Sequence, residues 1–187
     1  TDLHELYNAG YARGFRDYIE FPMILETGSP PPFSLSNEMI DSIINQISPD
    51  ASTCRWLDVG GGTGWLAHKL RTEHGIQNTA IQEIDIESAQ LAKQHFHVEN
   101  VTGSGDQSWN VVSCIATLEH VPNPVEFIRH LADYCTPGGM IVISVPHFTR
   151  LSRLISKASS AIATPPYHLS LFNQESLRST ANRSGRL

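Results

Sequence analysis

Leu57-Asp58-Val59-Gly60-Gly61-Gly62-Thr63-Gly64-Trp65-Leu66 runs from a short apolar segment through four glycines in five residues and into a helical pattern. A turn of this kind lets a ligand approach bare backbone, because glycine permits positive φ and lacks Cβ, and the helix that follows offers unpaired N–H groups. The plainer alternative is a tight strand-to-helix turn that binds nothing. The order strand, glycine loop, helix favours the ligand.

Outward from this loop, from Cys54 onward, short β-rich runs alternate with helical stretches. The pattern predicts an α/β fold, doubly wound, with a mostly parallel sheet and helices on both faces. Candidate strands are residues 55–59, 79–85, 98–102, 110–116 and 140–145. Candidate helices are 65–74, 88–97 and 124–135, the last bounded by Asn123-Pro124 and by a turn at Pro137-Gly138-Gly139. Upstream, Ser36 is placed to cap a helix in which Met39, Ile40, Ile43, Ile44 and Ile47 recur at helical spacing until Pro49. Residues 1–34 mix aromatic and polar residues and end in Gly28-Ser29-Pro30-Pro31-Pro32, and they are read as an N-terminal extension. Residues 35–187 are read as one domain. Tyr7 and Tyr11 share a helical face, which suits core packing or a lid.

The chain has 187 residues, 40% hydrophobic and 17% charged, enough for one packed domain. A formal charge of −6 argues against a nucleic-acid partner, which requires a basic face. Three widely separated cysteines, Cys54, Cys114 and Cys135, imply reduced thiols and a cytoplasmic setting. No apolar run approaches the roughly 20 residues needed to span a bilayer, so no membrane partner is expected. No motif sets an oligomeric state.

The ligand is less certain from spacing than its presence. Counted from Gly62, a dinucleotide fingerprint would place glycines at Gly62 and Gly64 and an allowed alanine at Ala67, so a nicotinamide cofactor stays open. About 20 residues beyond the loop, in a strand read as ending Ile81-Gln82-Glu83-Ile84-Asp85, either Glu83 or Asp85 could accept ribose hydroxyls.

Here the residues resemble the class I S-adenosylmethionine-dependent methyltransferases. Leu57 to Gly64 resembles their first motif, and Ile84-Asp85-Ile86-Glu87-Ser88-Ala89 with Leu91-Ala92-Lys93 resembles their second strand and helix entry. Val111-Val112-Ser113-Cys114, Leu118-Glu119-His120-Val121-Pro122-Asn123-Pro124 and Thr136 to Pro146 follow in the family's order. The resemblance implies S-adenosyl-L-methionine as cofactor, held by Asp58, Gly60, Gly61, Gly62, Gly64, Asp85, Ile86 and Asp106, with Asp85 at the ribose and Asp106 near the adenine. Pro165 to Phe172 and Glu175-Ser176-Leu177-Arg178 resemble a subgroup that modifies small molecules or sugar-containing intermediates. The family's sheet ends in two further strands forming an antiparallel edge, and the chain stops before both. Asn110 stands where the family usually has aspartate.

Methyl transfer from a sulfonium is an in-line displacement, so the protein mainly aligns donor and acceptor, and a base is needed only if the acceptor must lose a proton. Of nine histidines, His120, His147 and His168 fall where loops gather over the sheet's C-terminal edge. His120 and His147 are the candidate bases; each would otherwise be a packing or capping residue. Spacings of 27 and 21 residues match no compact metal motif, so no metal is expected. The expected activity is methyl transfer to a small molecule. A nicotinamide-dependent oxidoreductase, or a degenerate cofactor-binding or scaffolding protein, are the alternatives.

Overall fold

The structure, a computed structural model, describes residues 36–47, 49–101, 108–148 and 168–186. The expectations for residues 1–34, including Tyr7 and Tyr11, and for Asp106 lie outside the described residues.

Five strands form one parallel sheet in the order β3-β2-β1-β4-β5: β1 (Arg55–Val59), β2 (Asn78–Gln82), β3 (Glu99–Asn100), β4 (Trp109–Ile115) and β5 (Cys135–Ser144). Five helices are described: α1 (Asn37–Ile47), α2 (Trp65–Glu73), α3 (Ile86–Phe96), α4 (Pro124–Tyr134) and α5 (Gln174–Ser184). The chain winds outward from β1 to β3, then returns to lay β4 on the other side of β1. This reversal opens a crevice at the carboxyl ends of β1 and β4, the usual ligand position in open α/β sheets.

Alternation along β1 divides the core. Trp56 points into a layer with Ile40 and Ile44 of α1 and Trp65, Leu66 and Leu70 of α2. Leu57 and Val59 point into the opposite layer, with Leu118, Ile128, Leu131, Tyr134 and Phe172. Helix α1 starts as its sequence suggests, with Ser36 Oγ accepting the Met39 N–H at 3.3 Å. Alone, eleven residues would be marginal. Burial of Ile40 and Ile44, at about 1.5–3 kcal/mol each, holds it on the sheet. Cys54, Cys114 and Cys135 are buried, unpaired thiols within these layers.

Two expectations are corrected. The second strand stops at Gln82, so Glu83 and Asp85 sit in the turn that follows it. The cause is Asn100: its side chain accepts the Glu83 N–H at 2.8 Å and donates to the Glu83 carbonyl at 2.9 Å, replacing the ladder. The fifth strand begins at Cys135 and carries Pro137-Gly138-Gly139 within it, not as a turn after the helix. The pairing jumps from Trp109↔Cys135 to Val111↔Met140, a bulge. A Cβ on Gly139 would lie 2.7 Å from the Asn110 carbonyl, so the bulge presses bare backbone against β4. Asn110 itself stitches strands, its side chain accepting the Arg55 N–H at 2.8 Å.

Candidate active site

The glycine loop is shaped by the protein's own packing. Gly60 has φ +74°, and a Cβ there would lie 2.3 Å from Thr117 Oγ1; Gly64 has φ +81° and abuts Ala92 of α3, 2.9 Å from where its Cβ would be. Gly61 faces Ile81 in the same way, at 2.5 Å. Gly62 also has positive φ, +53°. The loop is tied to the end of β2 twice: the Gly60 N–H donates to the Gln82 carbonyl at 2.7 Å, and the Gly62 N–H to Glu83 Oε2 at 2.9 Å.

Beneath the loop, Asp58 is buried and accepts the Ser113 hydroxyl at 2.6 Å, while Trp56 Nε1 donates to that hydroxyl at 2.9 Å. Burial pushes the Asp58 carboxyl up to about 7; the Ser113 bond opposes this and the Glu83 charge adds to it. Glu83 Oε1 accepts the Asp85 N–H at 2.8 Å. Burial pushes Glu83 upward too, against the N–H groups of Asp85 and Gly62. Asp85 caps α3, its Oδ2 accepting the Ser88 N–H at 3.2 Å and the Ser88 hydroxyl at 2.6 Å. Ile86 beside it is 70% exposed.

Across the crevice, Ala116 at the end of β4 has φ +51°, and its N–H donates to the Ser144 carbonyl at 2.9 Å. The bend leads into a 3₁₀ turn, Leu118–His120. The Glu119 carbonyl accepts the N–H groups of Leu169 and Ser170 at 2.8 and 3.1 Å, which brings His168 over the turn. The rings of His120 and His168 meet edge to face at 4.7 Å, and Glu119 Oε1 lies 3.9 Å from His120 Nε2. Glu119 is 2% exposed; among the described residues its Oε2 has no hydrogen-bond partner, and burial pushes the carboxyl up to about 7. Glu119, His120 and His168 each present one ligand atom, all within 4.8 Å of one another. His147 is exposed at the end of β5, bridging Phe172 through the backbone.

Thus Asp58, the loop glycines, Asp85 and Ile86 gather on one side of the crevice, and His120 lies on the other. The sequence alone does not join Glu119 to His120 and His168, because the junction depends on a segment returning from almost fifty residues downstream.

A family profile described as a methyltransferase domain matches residues 35–185. The chain belongs to the class I S-adenosylmethionine-dependent methyltransferases. Members of this family take their methyl group from S-adenosylmethionine. A ubiquinone biosynthesis O-methyltransferase of Yersinia pestis is 35% identical over 100 residues, covering 47% of this chain and 40% of the relative. The chain therefore matches well under half the length of that methyltransferase. Among solved structures, Haemonchus contortus phosphoethanolamine N-methyltransferase 2, bound to phosphomonomethylethanolamine and S-adenosylhomocysteine, superposes with a TM-score of 0.70 at 15% identity, over 99% of this chain and 44% of that one. An Archaeoglobus fulgidus methyltransferase gives 0.59 at 23% identity, over 80% and 69%. These likenesses show the same fold. No helix among the described residues of this chain is long and apolar enough to cross a membrane.

Proposed function

We propose that residues 35–187 form a domain that binds S-adenosylmethionine across the β1–α2 and β2–α3 loops and transfers its methyl group to a small-molecule acceptor in the crevice. The observation that carries this reading is the shared carboxyl edge: Gly62 and Asp85, joined through Glu83, flank one side of the switch point, and the His120–His168 pair flanks the other. Gly60, Gly61, Gly62 and Gly64 would admit the methionine portion above Asp58. Asp85 would take the ribose hydroxyls, Ile86 would flank the adenine, and Asp106 would meet its amino group.

When bound, the sulfonium would supply an activated methyl group, the electron pair of the broken carbon–sulfur bond staying on sulfur as a neutral thioether. The protein's part is alignment and proton removal. His120 is the favoured base, taking the acceptor's proton as its oxygen or nitrogen attacks. His147, exposed at the next strand end, is the second candidate. The Yersinia relative is named an O-methyltransferase, which favours a hydroxyl acceptor.

Calorimetry tests the cofactor: S-adenosylhomocysteine is expected to bind and NAD is not, and binding of NAD alone would refute the assignment. Release of S-adenosylhomocysteine with a panel of phenols and amines tests turnover. His120→Ala is expected to lower it about 100-fold or more with cofactor affinity retained. Loss with His147→Ala instead would move the base to β5. Cofactor binding without turnover across the panel would favour a degenerate scaffold.

The Glu119 oxygen left without a partner among the described residues favours a second reading, in which Glu119, His120 and His168 hold a divalent cation that orients the acceptor. One carboxylate and two imidazoles suit zinc or a similar first-row ion. Turnover abolished by a chelator and restored by one such ion would establish it.

A further inference from the structure

We propose that Glu83 is a positioning residue for the cofactor: its carboxylate joins the glycine loop to the β2–α3 turn, so that Gly62 and Asp85 meet the ligand as one unit. The inference rests on the reading of the site given above.

A carboxylate partly withdrawn from water is costly unless its oxygens are satisfied, and here each has a different backbone donor. Oε2 takes the Gly62 N–H at 2.9 Å and Oε1 the Asp85 N–H at 2.8 Å. The two donors belong to different connections, one after β1 and one after β2, which no other side-chain bond among the described residues is shown to join. Behind the carboxylate, Asn100 of β3 grips the Glu83 backbone from both directions, at 2.8 and 2.9 Å. The position of the carboxylate is thus fixed from the sheet, and it passes that position on to the loop. Gly62, at φ +53°, carries no side chain that could orient its own peptide, so the bond to Glu83 sets the direction of that amide.

The chemistry of the acceptor pair distinguishes substitutes. Glutamine has one carbonyl oxygen, so it can satisfy one donor but must turn an NH₂ toward the other; alanine satisfies neither. A role through the loop differs from direct contact with the ribose. If Glu83 acts through the loop, its loss weakens the ligand whether or not the ribose hydroxyls are present. If it touches the hydroxyls, its loss disappears when they are removed.

The experiment is calorimetry of the unmodified chain, Glu83→Ala, Glu83→Gln and Asp85→Ala with S-adenosylhomocysteine and with the analogue lacking both ribose hydroxyls, alongside melting temperatures. Glu83→Ala is expected to weaken S-adenosylhomocysteine about 10-fold and the analogue by a smaller but clear factor, because the share passed through Asp85 goes with the hydroxyls while the share passed through Gly62 remains; Glu83→Gln is expected to weaken both less than alanine does. Asp85→Ala is expected to weaken the parent ligand, by about 10-fold or more, and to leave the analogue nearly unchanged. A Glu83 effect that vanishes with the analogue overturns the proposal, since no part of it would then pass through the glycine loop. Lower melting temperatures with unchanged affinity overturn it in favour of a brace for the fold alone. Should the alanine variant fail to fold, the near-isosteric glutamine variant carries the same comparison. No binding of S-adenosylhomocysteine by the unmodified chain would instead overturn the reading of the site, and this inference with it.

Discussion

Gly60 is held at φ +74° with Thr117 filling the space where a side chain would go. An L-residue in this region costs about 1–2 kcal/mol before any clash. Gly60→Ala must also displace Thr117, whose hydroxyl would otherwise lie 2.3 Å from the new methyl. The expected outcome is a loss of about 2 kcal/mol or more in urea unfolding, with weakened S-adenosylhomocysteine binding. At this scale the glycine loop was legible because its requirement is local: four glycines in five residues state a backbone geometry directly. The role of Glu83 was not, since its identity as an acid suited a ribose contact and only the folded loop shows both oxygens bound to N–H groups. Glu119 was illegible for a related reason. Nothing beside it in the sequence announces that residues 168–170 will close over its carbonyl.

Helix α3 ends on His97 at φ +53°, a left-handed cap usually given to glycine, and its N–H reaches back to the carbonyls of Ala92 and Lys93. His97→Gly removes the strain but adds freedom to the unfolded chain, which offsets part of the gain. A net stabilisation of a few tenths to about 1 kcal/mol is expected, read by denaturant unfolding, with cofactor affinity unchanged because His97 lies at the far end of the helix from Asp85. Helices were the more readable elements. Asn123 accepts the Glu126 N–H and Pro124 follows it, so the start of α4 is written in adjacent residues. Strand ends were less readable, because they depend on cross-strand partners. Asn100 ends β2 from across the sheet, and Asn110 and Cys135 accommodate the bulge that puts Pro137-Gly138-Gly139 inside β5.

For the molecule as a whole, Asp58 links stability to pH. Its ordinary value of 3.8 is raised to about 7 in the fold, chiefly by burial, so the unfolded chain releases this proton first as pH rises. The stabilisation from keeping Asp58 protonated is full below about pH 4, declines as pH climbs, and is gone above about pH 7. Asp58→Asn, which cannot ionise, should therefore gain stability relative to the unmodified chain between pH 5 and pH 8, by melting temperature; a relative loss would mean that the ionised carboxylate is favoured in the fold. The doubly wound architecture itself was readable from alternation of strand and helix. The pairing of loops across the crevice was not, because it arises where the winding reverses. The three buried cysteines follow that architecture: one opens the sheet beside β1, one lies in β4, and one begins β5. Burial raises all three thiols and so suppresses the reactive thiolate. Alkylating reagents would then reach them only when the sheet parts, and the rate of labelling becomes a clock for its opening, one that a bound ligand should slow.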